Sequence, residues 1–187
     1  MTDTPTFLQD AKKLLTQDGF AIADVWYHGT TSALVSSING SGLRRSGDKE
    51  MNQAAKSTMA TIGNNYTESR EPVFLTQSKE LAYYWAQEAV KRRGVRIEGD
   101  EMPVVFEVKL PQGQHTKVRP DVGAASLLMV KEGEAFMAYL AKLYQDNGLG
   151  VLDIDLRKAD RGEYLSKLGM AYIDQDIAPG YIRLLSE

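Results

Sequence analysis

The chain contains no cysteine, which excludes a disulfide framework, a thiolate metal site and a cysteine nucleophile. It has two histidines, His28 and His115. These are the only side chains with an ordinary pKa near neutrality, and alone they do not complete a zinc site, so no metal is expected. No apolar run approaches the length needed to cross a bilayer, so no membrane partner is expected. Met1 to Gln9 is polar and lacks the charged-then-apolar order of a secretory signal. A cytoplasmic location is therefore the expectation, and delivery into a host cell by a signal-independent route would look the same. Charge of one sign is also scarce: the formal net charge is −3. That disfavours gripping nucleic acid through broad positive charge while leaving room for a local basic patch.

What is present is ordinary globular material. With 43% hydrophobic and 25% charged residues over 187 positions, residues 1–187 are read as a single domain with one sizeable core. Phe7, Leu8, Ala11, Leu14 and Leu15 form a helical stripe that Gly19 ends, which predicts an N-terminal helix within residues 1–20. Ala21 to Tyr27 predicts a short strand. Thr30 or Thr31 can cap a helix through Ala33, Leu34, Val35 and Ile38, closed by Gly40-Ser41-Gly42. Residues 44–71 are broken at Gly47, Asp48, Gly63, Asn64 and Asn65, and predict a long loop.

Val73 to Thr76 predicts a strand, and Ser78 caps a helix over Glu80 to Lys91. Lys91, Arg92 and Arg93 suit the end of that helix's dipole; with Arg96 they could instead form a basic stripe. Val104 to Leu110 reads as a strand, Glu132 to Gln145 as an amphipathic helix, and Tyr181 to Leu185 as a final strand. Strands and helices mix without a regular βαβ rhythm, so an α+β fold with a largely antiparallel sheet is expected.

Two stretches carry chemistry. In Trp26-Tyr27-His28-Gly29-Thr30-Thr31, a histidine ends an apolar strand and is followed by glycine and a hydroxyl residue. The strand fixes the ring, glycine lets a ligand approach the backbone, and imidazole can donate to a sugar hydroxyl. The same residues also fit a strand end, a turn and a helix cap. In Pro72-Val73-Phe74-Leu75-Thr76, followed by Leu81-Ala82-Tyr83-Tyr84-Trp85-Ala86, aromatics can wall a planar ring or simply fill a core.

In this order, Tyr27-His28-Gly29-Thr30, Leu34, Ile38, Gly42-Leu43, and Val73-Phe74-Leu75-Thr76 with Ala82 and Ala86 resemble the ADP-ribosyltransferase superfamily. The resemblance covers Tyr27 to Leu110 well and Ile177-Ala178-Pro179-Gly180-Tyr181-Ile182 more loosely. It implies a split antiparallel sheet flanked by helices, and NAD as the substrate with release of nicotinamide. It further implies that His28 bonds the ribose of the nicotinamide half and that the Gly29 backbone clamps the carboxamide. Thr30 would be the hydroxyl residue beside it, next to Tyr27. Phe74 would stack on nicotinamide where many members have tyrosine, and Tyr84 or Trp85 would close the pocket. The 44–71 segment would border the cleft, with Arg44 or Arg45 near the pyrophosphate.

The chain departs from the family at the third position. Many transferases have a glutamate in the strand before the last turn, where this chain reads Gly169-Met170-Ala171-Tyr172-Ile173-Asp174-Gln175-Asp176. Asp174 or Gln175 could stand in, or Asp121 in Val118-Arg119-Pro120-Asp121, which is favoured for its rigid presentation; a turn or cap aspartate would look the same. The missing glutamate disfavours polymer formation, and the arginine-targeting toxins fit poorly because their paired glutamates and serine-threonine-serine signature are absent. Transfer of a single ADP-ribose to an unidentified protein, nucleic acid or small molecule is thus the expectation. A toxin or phage effector would fit. The alternatives are a catalytically silent NAD- or ADP-ribose-binding module and an RNA 2′-phosphotransferase; the latter family carries a further histidine- and arginine-bearing module ahead of its central motifs.

Overall fold

The computed structural model describes residues 3–61, 63, 70–121, 131–155 and 157–187, with the backbone but not the side chain of Glu132. Near the N-terminus β1 (Leu15–Thr16) and β2 (Gly19–Phe20) close a small hairpin. The main sheet contains β3 (Val25–Thr31), β4 (Val73–Thr76), β5 (Pro103–Lys109), β6 (Arg119–Pro120), β7 (Met170–Ile173) and β8 (Ile182–Leu184). Their spatial order is β6-β7-β4-β3-β5-β8, antiparallel at every pairing. The helices are α1 (Ala11–Leu14), α2 (Val35–Ser41), α3 (Lys49–Thr61), α4 (Lys79–Gly94), α5 (Lys131–Asp146) and α6 (Arg161–Leu168). The chain is a mixed helix and antiparallel-sheet fold, as its irregular order of elements implies.

Strand alternation sorts the core onto two faces. Trp26, Val73, Leu75, Phe106, Val108, Ala171 and Ile173 pack with Ile38 of α2, Leu43 and Ile177 on one side. On the other side Met170 joins Leu81 and Tyr84 of α4, Phe136 and Leu140 of α5, and Leu168 of α6. The α4 helix lies directly on β3. A Cβ built on Gly29 would sit 1.8 Å from the Ala82 carbonyl oxygen and 2.8 Å from the Ala86 nitrogen.

The start of α4 is fixed twice. Ser78 Oγ accepts from the backbone N–H groups of Glu80 and Leu81, at 3.1 and 3.4 Å. The buried Asp10 carboxylate then accepts from Ser78 Oγ at 2.6 Å and from Lys79 N–H at 2.8 Å. Glu80 Oε1 returns the favour to α1, accepting from Ala11 N–H at 2.8 Å. Burial pushes the Asp10 carboxyl above its ordinary pKa despite these donors.

Three elements differ from the sequence-based expectation. The predicted N-terminal helix is a 3-10 turn (Thr6–Leu8), one α-turn and the β1–β2 hairpin. Asp10 interrupts it because its side chain is drawn to α4. Within residues 44–71 the expected loop contains α3, and the portion at 62 and 64–69 lies outside the described residues. Lys49–Thr61 holds neither glycine nor proline, and Asp48 Oδ1 caps it by accepting from Glu50 and Met51 N–H. The third difference concerns His28, which is the fourth of seven residues in β3 and not its end. Gly29, Thr30 and Thr31 continue the strand opposite Val105, Val104 and Pro103.

The α3 helix has no buried residue of its own. It is tied to the body by Arg93, which is 4% exposed and pairs with Asp48, with Glu50 at 2.6 Å and with Glu101 at 2.8 Å. The basic run therefore divides. Arg93 is a structural clamp, while Arg92 is exposed and Lys91 pairs with Glu88.

Candidate functional site

The sheet has a weak seam. β3 and β4 meet at one register pair, Tyr27 with Thr76. By contrast, β3 pairs with β5 along its whole length and β4 with β7 along all of its own. Beyond Tyr27 the backbone ladder is replaced by a side chain. His28 Nδ1 lies 2.8 Å from the Phe74 carbonyl oxygen. A carbonyl can only accept, so Nδ1 carries the hydrogen and the neutral ring keeps Nε2 as an acceptor. Burial lowers the His28 pKa below its ordinary value, and the bond to Phe74 only partly opposes this. His28 is thus an oriented, neutral imidazole at the opening of the sheet.

Phe74 stands beside it on the β4 side. It is 40% exposed between buried Val73 and Leu75, so its ring is offered to the surface and not to the core. Register places Phe74 opposite Tyr172 of β7, and Tyr172 opposite Arg119 of β6. Directly opposed residues share a face of the sheet, so a phenyl, a phenol and a guanidinium form one row. Tyr172 is the neighbour that sequence reasoning did not single out. The signal was the alternation of Met170-Ala171-Tyr172-Ile173, but register with β4 is not written in any one strand.

The other expected site residues divide into three groups. Tyr27 is half-buried, and its hydroxyl is held up to a pKa of about 12 by burial and by the charges of Asp10 and Glu107. Thr30 is buried three positions further along the same strand. Gly29 has a packing reason to be glycine, since α4 occupies the space a side chain would need. Tyr84 is 3% exposed and stacked on Tyr139 with centroids 4.5 Å apart, so its ring faces core residues. Trp85 is partly exposed, packs edge-on against Tyr84, and donates from Nε1 to Met170 Sδ at 3.0 Å.

The acidic candidates lie on the β7 side. Asp121 follows β6, with its N–H donating to the Met170 carbonyl at 3.0 Å. This brings Asp121, Met170 and Trp85 together at one end of the sheet. Asp121 is separated from β3 by β7 and β4, roughly 14 Å at ordinary strand spacing. Asp174 is paired with Arg45 at 2.6 Å, and Gln175 Oε1 accepts from Lys117 Nζ at 3.1 Å. Asp176 accepts from Arg45 N–H at 2.8 Å and pairs with Arg44 at 2.9 Å; these partners lower its pKa. Arg44 and Arg45 thus fasten the segment after α2 to the end of β7, alongside the Leu43–Ile177 bridge.

A cavity of about 320 Å3 opens here, lined by Lys117, Arg119, Tyr172, Ile173, Asp174 and Gln175. Among the described residues no cluster of three His, Cys, Asp or Glu could hold a metal, and no helix is long and apolar enough to cross a membrane. No protein-family model, curated protein or solved structure matches the chain.

Proposed function

We propose that this chain is an NAD-dependent mono-ADP-ribosyltransferase, with a split antiparallel sheet whose opening between β3 and β4 receives the nicotinamide half of NAD. The observation that carries the reading is the bond across the seam: an oriented imidazole donating from Nδ1 to the backbone carbonyl of Phe74, a residue whose own ring is exposed. Phe74 stacks on nicotinamide, and His28 Nε2 accepts a ribose hydroxyl proton. Breaking the bond between nicotinamide and ribose builds oxocarbenium character on the sugar, so catalysis consists of orienting NAD and stabilising that charge. Asp121, the carboxylate favoured for this task from the sequence, follows a strand three places from His28, so it serves the ribose only where NAD extends across β4 and β7. Arg44 meets the pyrophosphate, since its surface pair with Asp176 is cheaply exchanged. The test is transfer of a tagged ADP-ribose from NAD to a component of cell lysate. A new mass of one ADP-ribose on a defined acceptor supports the reading, and polymer or no transfer contradicts it.

One observation favours a second reading, a silent NAD- or ADP-ribose-binding module. The position beside Phe74 is Tyr172, not a carboxylate, and Asp174 is already neutralised by Arg45. NAD binding by calorimetry without any nicotinamide release would select this reading.

A further inference from the structure

The reaction proposed above leaves the two cations of the 320 Å3 cavity without a task. Arg119 Nη1 donates to the Thr116 and Val118 carbonyls at 2.7 and 3.3 Å, and Lys117 Nζ to Gln175. Among the described residues neither cation enters an ion pair. The one carboxylate lining the cavity, Asp174, is occupied by Arg45. Two uncompensated positive charges therefore share a hollow with one neutralised acid. A guanidinium and an ammonium together select a phosphate-like anion. Tyr172 adds a half-buried aromatic surface, in register between Phe74 and Arg119. Planar bases stack on such a ring. The volume is at the small end of ligand sites, about 300–1,000 Å3, which fits one nucleotide unit and excludes a duplex.

We infer that the cavity binds a nucleotide unit, its phosphate on Lys117 and Arg119 and its base on Tyr172, and that this unit is part of the ADP-ribose acceptor. The second half of the inference rests on the transferase reading; the first does not. The overall charge of −3 fits local capture at this hollow and not a broad electrostatic grip.

The test uses the full chain with two probes, a labelled single-stranded decanucleotide followed by anisotropy and adenosine monophosphate followed by calorimetry. Joint replacement of Lys117 and Arg119 by alanine weakens binding at least about tenfold, and Tyr172→Ala weakens it by about tenfold. For the decanucleotide, log affinity falls against log salt with a slope of roughly −0.7, as one phosphate contact requires. Lys142→Ala, on α5, changes nothing, and the double variant keeps the wild-type melting temperature because Lys117 and Arg119 are exposed. Nicotinamide release from NAD without added acceptor is unaltered in the double variant, which separates this cavity from the NAD site. Binding of the decanucleotide alone identifies a strand as the source of the unit; binding of the mononucleotide as well identifies a free nucleotide. Failure of both probes, or binding indifferent to all three residues, overturns the inference. If nucleotide binds here but NAD is never cleaved, the transferase reading falls while the cavity's ligand stands.

Discussion

At the scale of single residues, His28 and Phe74 stand on either side of the seam between β3 and β4. Burial favours the neutral imidazole in the folded chain, which fixes the sign of its pH dependence. The unfolded chain takes up this proton near pH 6.5 and the folded chain only at lower pH. The stability contributed by His28 is therefore complete above pH 6.5 and declines as the pH falls from there through the lowered folded value. An NMR titration of the His28 ring should give a midpoint below 6.5; a midpoint at or above it contradicts the assigned environment. Phe74 separates binding from folding. Because its ring is 40% exposed, Phe74→Ala should weaken NAD binding about tenfold with little change in melting temperature. A collapse in melting temperature with intact affinity would make Phe74 a packing residue only.

At the scale of elements, the contact between α4 and β3 and the clamp on α3 make separate predictions. Gly29→Ala forces a methyl into the Ala82 carbonyl. Both partners are backbone, so the cost should be about 3 kcal/mol in denaturant unfolding; a neutral effect would mean that α4 does not lie there. Arg93→Ala leaves Asp48 and Glu101 facing one another without their cation. The expected loss is also about 3 kcal/mol, with faster amide exchange over Lys49–Thr61 than over α4. Equal exchange in the two helices would mean that α3 has another anchor.

These elements also show what a sequence discloses. Strand β4 and helix α4 were legible because a short β-rich run and a Ser78 cap act locally. Helix α3 was hidden by the breakers Gly47 and Gly63 on either side of it, which suggested a loop throughout. The N-terminal stripe was misleading for the opposite reason. Its periodicity is helical, but Asp10 is committed to α4, nearly seventy residues away. His28 and Phe74 could be named from their motifs. Their bond, the row through Tyr172 to Arg119 and the engagement of Asp174 by Arg45 depend on strand order, which no local pattern encodes.

For the molecule as a whole, the two halves of the sheet do different work. In the β3–β5–β8 half, β3 is packed by α4, and the β6–β7–β4 half carries the row from Phe74 through Tyr172 to Arg119 and the basic hollow. His28 spans the seam between them. Placing NAD at that seam and a nucleotide unit in the hollow would set donor and acceptor on neighbouring strands, with Phe74 opposite Tyr172. The claim beneath all of this is that the chain cleaves NAD using His28. The most direct measurement is nicotinamide release from NAD by the purified protein, wild type beside His28→Ala, with cell lysate supplied as acceptor. The account predicts release by the wild type and a loss of about 100-fold in the variant, with the variant still folded by circular dichroism. Equal release by both proteins would put the chemistry elsewhere, and release by neither would contradict the enzyme itself.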